Sequence, residues 1–309
     1  MSVLEKMLKE LPYSRDELHK LISTAHYRYK VYKIPKRQPN KFRTIAQPSP
    51  EIKLLQRWLI DSVLADLPLH KAATAYRKGR SIGHHAEIHR SNRFLLKMDF
   101  RDFFPSITIL DIYKYLIERA SMPSEDARLV SLLLSWKDKE KNKLCLSIGA
   151  PSSPHISNLI MFIFDNKVDH LCKSLNVSYS RYADDLAFST NQKNVLSDIP
   201  NKIKKICSDL DYPNLEVNES KTVSTSIAKG RTLVGLVLTT ENQISLGRDK
   251  KRRLRYDLYK FSKDVLEIEK IPSLRGELAF AWSVEKRFIY SLLKTYGKDV
   301  FSKLDLPFE

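Results

Sequence analysis

Glycine is scarce in this chain, at 8 residues in 309, and proline contributes only 14. That composition excludes a collagen-like or low-complexity chain, and no internal repeat or Gly/Ser linker divides the sequence. Cysteine is scarcer still. Cys145, Cys172 and Cys207 stand far apart with no C-x-x-C pair, which gives no zinc framework and fits reduced thiols. Long apolar runs are missing: the longest near the middle, LIMFIF at 159–164, is far short of the ~20 residues that a membrane-spanning helix needs. The N-terminal stretch MSVLEKMLKELPYSRDELHK interleaves acids with bases and holds no apolar core of the signal-peptide kind. The expected location is therefore the cytoplasm, with no membrane partner. Acids are also in deficit, since 36 Asp+Glu against 53 Lys+Arg leave a net charge of +17. Such an excess favours a polyanionic partner, nucleic acid first.

What remains is a composition that folds, with 42% hydrophobic and 10% aromatic residues, in a chain long enough for two domains or for one domain with sub-domains. Apolar residues recur at helical spacing over 2–10, 15–26, 50–66, 109–119, 125–136, 151–175 and much of 248–304. Short period-two stretches read as strands at 93–100, 177–182, 185–190, 215–217, 232–239 and 243–246. Helices and hairpins alternate without a βαβ cadence, so the expected class is α+β with an antiparallel sheet. Two basic zones flank a mixed middle. Residues 28–57 hold nine Lys/Arg and one acid, Glu51, and 248–260 read RDKKRRLRYDLYK.

Two acidic sites interrupt the strand pattern. In VSYSRYADDLAFST, 177–190, the alternation breaks at Ala183-Asp184-Asp185, which reads as strand, tight turn, strand. Asp suits such a corner on conformational grounds alone. In RFLLKMDFRDFFPSI, 93–107, Asp99 ends a strand and the chain turns at Pro105 into a helix opening at Thr108. Strand-end and hairpin-turn carboxylates on neighbouring strands can converge, and such charges repel unless cations lie among them. Two Mg²⁺ ions suit oxygen ligands of this kind and would serve phosphoryl transfer.

At these residues the chain resembles reverse transcriptases. Tyr182-Ala183-Asp184-Asp185 is similar to their Y-x-D-D box, and Asp99-Phe100-Arg101-Asp102-Phe103-Phe104 to their first catalytic motif. Lys41-Phe42-Arg43 resembles the fingers motif that holds the triphosphate. Gly149-Ala150-Pro151-Ser152-Ser153-Pro154, with Ser157-Asn158, resembles the motif beneath template and nucleotide. Asn218-Glu219-Ser220-Lys221 resembles the palm lysine motif, and 233–247 the primer grip. The resemblance covers roughly 35–255. It implies a right-hand polymerase fold with N-terminal helices and fingers at 1–92, a palm at 93–240 with a finger insertion near 120–150, and a primer grip and helical thumb at 241–309.

Site roles follow from the same resemblance. Asp99, Asp184 and Asp185 are the implied catalytic acids. Asp99, Asp184 and the Phe100 carbonyl would hold two Mg²⁺, with Asp185 completing the negative field. Lys41 and Arg43 would neutralise phosphates of a dNTP. The backbone of Arg101, Asp102, Phe103 and Phe104 would cradle them, and the Phe104 ring would exclude a ribose 2′-hydroxyl. Ile148 and Gly149 would lie by the nucleotide, and Lys221 would either protonate the leaving pyrophosphate or stand as a plain surface lysine. Gly235, Leu246, Gly247, Arg248, Lys250, Arg252 and Arg253 would meet nucleic acid.

The phrases DFRDFFPSI, YADD and APSSPHISN are similar to retron enzymes in particular. No room remains before Glu309 for RNase H, integrase or endonuclease domains, which fits small bacterial members. Three positions depart from the pattern: His85 stands where the N-A-x-x-H element has Asn, Leu233-Val234-Gly235 keeps only the Gly of V-T-G, and Ile148 replaces a Gln. His85 and His89 stand at i, i+4, but no Glu follows the first and no third ligand is evident, so zinc is set aside for surface polar residues or an RNA-contacting helix. The implied function is synthesis of multicopy single-stranded DNA from a structured non-coding RNA, in anti-phage defence with a separate effector protein as partner. The alternatives are another small bacterial reverse transcriptase (intron-like, diversity-generating or abortive-infection type) or a non-catalytic RNA-binding scaffold.

Overall fold

A computed structural model describes residues 1–35 and 40–306. Lys36 and Arg37 of the first basic zone and the last three residues of the 241–309 range lie outside them. The chain opens with α1 (Val3–Glu10) and α2 (Arg15–Thr24). Ser14 and Glu17 cap α2 reciprocally, Ser14 bonding the Glu17 N–H and Glu17 the Ser14 N–H. A hairpin follows, β1 (Tyr29–Pro35) and β2 (Phe42–Pro48), and then α3 (Pro50–Leu59) with Pro50 in its first turn and α4 (Ile82–Glu87). β3 (Phe94–Asp99) leads into the short α5 (Phe103–Ser106) and α6 (Ile109–Glu118). The expected helix start at Thr108 is present as a second capping box, with Thr108 and Asp111 bonding each other's backbone.

Beyond it lie α7 (Ser124–Leu134), the hairpin β4 (Trp136–Asp138) and β5 (Lys143–Cys145), α8 (Ser153–Ile160) and α9 (Phe162–Ser174). The single helix expected over 151–175 is thus two, divided at Met161 (φ −71°, ψ −2°). Apolar residues are equally dense on both sides of that bend, so hydropathy carries no trace of it. β6 (Ser178–Tyr182) and β7 (Asp185–Thr190) follow, then α10 (Ile199–Ser208) and β8 (Val223–Ser226). The strand expected at 215–217 is only a bridge between Val217 and Phe100. The one expected at 232–239 is a hairpin, β9 (Arg231–Leu233) and β10 (Leu236–Leu238), turned by Val234 and Gly235, both at positive φ. β11 (Ile244–Ser245) and four α-helices close the described residues: α11 (Arg248–Ser262), α12 (Ile271–Val284), α13 (Lys286–Tyr296) and α14 (Lys298–Ser302).

The central sheet is antiparallel with strand order β6-β7-β3-β8, as the α+β expectation requires. Side chains alternate across it, so adjacent residues of β3 enter different cores. Leu96 and Met98 join a large apolar cluster that runs from Met7 and Leu18 through Leu55 and Leu134 to Phe164, Phe188 and Ile203. Leu95 instead meets a second cluster built on Leu236, Leu254, Leu258, Leu278 and Ile289. The N-terminal helices therefore share the core of the sheet, and the C-terminal helices have their own. Among the described residues no helix is long and apolar enough to cross a membrane.

Candidate active site

The two strand ends expected to carry acids meet. β3 and β7 pair in a register that sets Asp99 opposite Asp185, and β6 returns Tyr182 opposite Asp185. Directly paired residues share a face, so both carboxylates leave the sheet on one side. Ala183 and Asp184 form the two-residue loop between β6 and β7. Ala183 has φ +58°, a conformation that costs an L-residue free energy and must be held from outside. The holder is Arg181, fully buried, whose Nη1 donates to the Ala183 carbonyl (3.0 Å). That guanidinium also donates to both oxygens of Asp165 on α9 (2.8 and 2.6 Å) and to Asn158 Oδ1 (3.1 Å). The Phe100 N–H meets the Asp184 carbonyl at 3.3 Å, tying the loop to the end of β3.

Negative charge accumulates there. Burial and then the Asp99 carboxylate raise the Asp184 pKa, while Lys221 and Arg43 pull it down. Burial, with Asp184 and Asp99 behind it, raises Asp185 to about 6. Lys221 supplies a counter-charge, its Nζ donating to both oxygens of Asp99 (2.9 and 2.8 Å). It reaches them because the segment before it lies along the end of β3, with the Asn218 N–H on the Asp99 carbonyl (2.7 Å) and the Arg101 N–H on the Glu216 carbonyl (2.8 Å). Lys221 is thus an exposed lysine whose ammonium is paired with Asp99.

Among the described residues no three carboxylate, imidazole or thiol groups form a closed metal cage. A cluster of hard, mutually repelling carboxylate oxygens only partly neutralised by one ammonium nevertheless fits Mg²⁺. That ion takes one or two protein carboxylates and completes its shell with water and substrate phosphates.

A cleft of about 400 Å³ is lined by Tyr76, Phe104, Ile148 and Gly149, with Lys53 and Arg57 among its cations. The Phe104 ring faces Tyr76 at 6.5 Å, whereas Phe103 is buried and stacked on Phe100, so only its backbone is available to a ligand. Ile148 accepts a hydrogen bond from the Ala46 N–H of β2 (2.9 Å). Gly149 has φ +125°, and a Cβ there would come within 3.0 Å of the Ala46 carbonyl, so glycine alone fits. Arg43 lies on β2 and acts electrostatically on Asp184; Lys41 is exposed just before that strand. Arg101 and Asp102 are held by ion pairs to Glu216 (2.6 Å) and Lys141 (2.5 Å).

Two expectations need correction. His85 and His89 are fully buried and are not surface residues for RNA. α4 lies on the same sheet face as the acids, where Ser178, Ser180 and Ser189 project. His89 bonds Ser189 (2.7 Å) and Ser180 (2.8 Å), and His85 bonds Ser180 (2.8 Å) and Thr74 (3.0 Å). Buried polar groups need such partners; the serines of the sheet provide them for both nitrogens of His89 and, with Thr74, for Nδ1 of His85, whereas the buried Nε2 of His85 has none among the described residues. Leu246 is likewise buried, in the C-terminal apolar cluster, so its side chain meets no ligand. Of the other nucleic-acid positions, Gly235, Arg248 and Arg252 are exposed and Gly247 opens α11 at φ +83°. Lys250 lies over the Phe280 ring, and Arg253 is paired with Glu277. Tyr76, Asp165 and Arg181 are the site residues that sequence reasoning missed. A charged residue at an inward strand position, with an acid in an apolar helix just before it, was the available signal for the last two.

Burial pushes the pKa of His85 down to about 3 and that of His89 well below the ordinary value, each with a histidine neighbour adding to it. Both rings therefore stay neutral in the fold while the unfolded chain protonates near 6.5. Stability is complete above that pH and falls as pH drops towards 3, by about 1.4 kcal/mol per pH unit for each ring. His85→Asn, the residue of the retron pattern, is expected to remove about one proton from this slope. Urea unfolding between pH 4 and 6 measures it, and an unchanged slope would contradict a neutral His85.

A sequence profile described as "Reverse transcriptase (RNA-dependent DNA polymerase)" matches residues 34–256. The retron Ec83 reverse transcriptase of Escherichia coli is 40% identical over 279 residues, 89% of each chain. The retron Ec86 reverse transcriptase of Escherichia coli is 32% identical, over 98% of this chain and 93% of the relative. Among solved structures, an apo telomerase from Candida tropicalis superposes with a TM-score of 0.51 at 13% identity, over 87% of this chain and 58% of that one. At that identity the likeness speaks for a shared right-hand polymerase fold.

Proposed function

Since the chain belongs to the retron reverse transcriptases, and so is an RNA-directed DNA polymerase, we propose that it makes multicopy single-stranded DNA from a structured non-coding RNA. The DNA would remain joined to the RNA through the 2′-hydroxyl of the guanosine that primes it. The observation that carries the polymerase chemistry is the pairing of Asp99 with Asp185 beside the strained loop of Asp184. In this reading 1–92, 93–240 and 241–309 serve as fingers, palm and thumb.

Enzymes of this family generally use divalent ions; held by Asp99, Asp184 and the Phe100 carbonyl, two Mg²⁺ would supply charge stabilisation to the attacking and leaving oxygens. Asp185 adds negative field. Lys41 and Arg43 neutralise phosphate charge; the Arg43 charge already acts on Asp184 through space, and its guanidinium can donate to phosphate oxygens through several N–H groups. Lys221 carries a proton on Nζ at the edge of the cluster and can pass it to departing pyrophosphate once the acids are otherwise neutralised. Phe104 presents its ring to the cleft and leaves no room for a 2′-hydroxyl. Phe104→Ala is expected to weaken discrimination against ribonucleotides by about tenfold to a hundredfold, measured as the ratio of kcat/KM for dNTP and rNTP on one template.

Exposed Arg248 and Arg252 would hold phosphates of the template–primer, so affinity should fall steeply with added salt. A role in anti-phage defence with a separate effector protein follows the family reading. Purified chain given the RNA encoded beside its gene, Mg²⁺ and dNTPs should yield DNA that debranching enzyme releases from RNA. Linear product would favour an intron-like, diversity-generating or abortive-infection enzyme, and no product the RNA-binding scaffold.

A further inference from the structure

The β1–β2 hairpin has two working faces. Cross-strand pairing puts Tyr32, Ile34, Arg43, Ile45 and Gln47 on one and Tyr29, Val31, Lys33, Thr44 and Ala46 on the other. The first face sends Gln47 into the nucleotide cleft. The second closes, with the turn Ala25–Tyr27 and the β4–β5 hairpin, a separate cavity of about 410 Å³. The polymerase chemistry makes no use of it.

Its lining is aromatic and basic. His26, Tyr27 and Trp136 contribute rings, and Lys33, Lys137 and Lys139 contribute charge. Tyr27 is 63% exposed, and its ring centroid lies 4.0 Å from that of His26. Burial, then the Lys137 charge, lower the His26 pKa, so this ring is neutral near pH 7, and its buried Nδ1 has no partner among the described residues. The acids nearby are committed: Asp138 accepts the N–H groups of Glu140 and Lys141 (3.0 and 3.1 Å), and Glu140 pairs with Lys33 (2.9 Å). Tyr27 and Val31, which line the cavity, are large side chains left in water, and so is Phe42 on the same face of the hairpin.

Exposed rings interleaved with lysines, in a chain of charge +17, suit single-stranded nucleic acid, whose bases stack while its phosphates meet cations. A cavity of this size suits one planar group. An acidic peptide would satisfy the lysines and leave the ring faces and the His26 nitrogen without a role.

We propose that this cavity takes an unpaired nucleobase of structured RNA, stacked on Tyr27 and His26, with flanking phosphate on Lys137 and Lys139. The base comes from a segment outside the template strand, because the cavity opens on the hairpin face opposite the nucleotide cleft. The proposal rests on the RNA-directed reading above and names a contact that reading does not include.

Tyr27→Ala and the double variant Lys137→Ala/Lys139→Ala test it, all three positions being outside the catalytic machinery. The probe is a fluorescein-labelled short oligoriboadenylate, read by anisotropy, beside extension of oligo(dT) on poly(rA). Each variant should bind the oligoribonucleotide about tenfold more weakly while extending the primer with unchanged kcat and KM. Unchanged binding in both variants would overturn the site. So would displacement of the probe by polyglutamate as effectively as by unlabelled RNA, and so would a KM for template–primer that rises with the length of unpaired template. Binding is read whether or not a primer is extended, so failure of extension would count against the function above and not against this cavity.

Discussion

Asp184→Asn is expected to lower the rate of single-nucleotide incorporation by about 10³-fold or more, with template–primer affinity changed only a few-fold. The substitution keeps the size of the side chain and removes its charge, where charge stabilisation of the transferred phosphoryl group is most of what the protein contributes. Affinity is spared because the cations proposed to hold template–primer phosphates, such as Arg248 and Arg252, lie on another element. Asp185→Asn should cost less. Asp184 has Asp99 as its foremost electrostatic neighbour, whereas Asp185 answers first to Asp184. With its pKa at about 6, Asp185 is also the acid whose ionised form the fold tolerates least, so its removal relieves repulsion. Rapid-quench incorporation assays rank the two variants. A larger loss at Asp185 than at Asp184 would reverse the assignment of ligand and supporting charge.

The acids could be read from sequence because a strand announces itself locally. Period-two alternation in 93–100 and 177–190 set both strand ends, and the Asp pair marked the turn between β6 and β7. The β1–β2 hairpin gave no such signal. Six of the seven residues of β1 are exposed, and its two lysines, Lys30 and Lys33, fall on opposite faces, so neither face is apolar throughout. His85 and His89 were legible as a helix pair but not as buried, since their partners Ser180 and Ser189 lie far along the chain. Polar residues on a helix reveal burial only when the opposing surface is known. Lys221 illustrates the same gap: its motif was visible, yet its ion pair with Asp99 depends on the segment 216–218 running alongside the end of β3.

Arg181 joins stability to activity, and the two can be separated. Asp165→Ala leaves a fully buried guanidinium without its carboxylate and the Tyr179 hydroxyl without its acceptor, which should cost about 3–5 kcal/mol in urea unfolding. Replacing both partners by apolar residues of similar volume, as in Arg181→Met/Asp165→Leu, removes the uncompensated charge and should recover most of that loss. Activity should not recover. The Ala183 carbonyl would still lack the donor that holds its left-handed backbone, and Asn158 would lose the contact that links the loop to α8. A displacement of about 1 Å in the loop bearing Asp184 is enough to slow incorporation by about a hundredfold. The double variant should therefore melt near the parent protein yet incorporate nucleotides far more slowly, with a nearly unchanged affinity for template–primer. Equal activity in the double variant and the parent would reduce Arg181 to a structural ion pair.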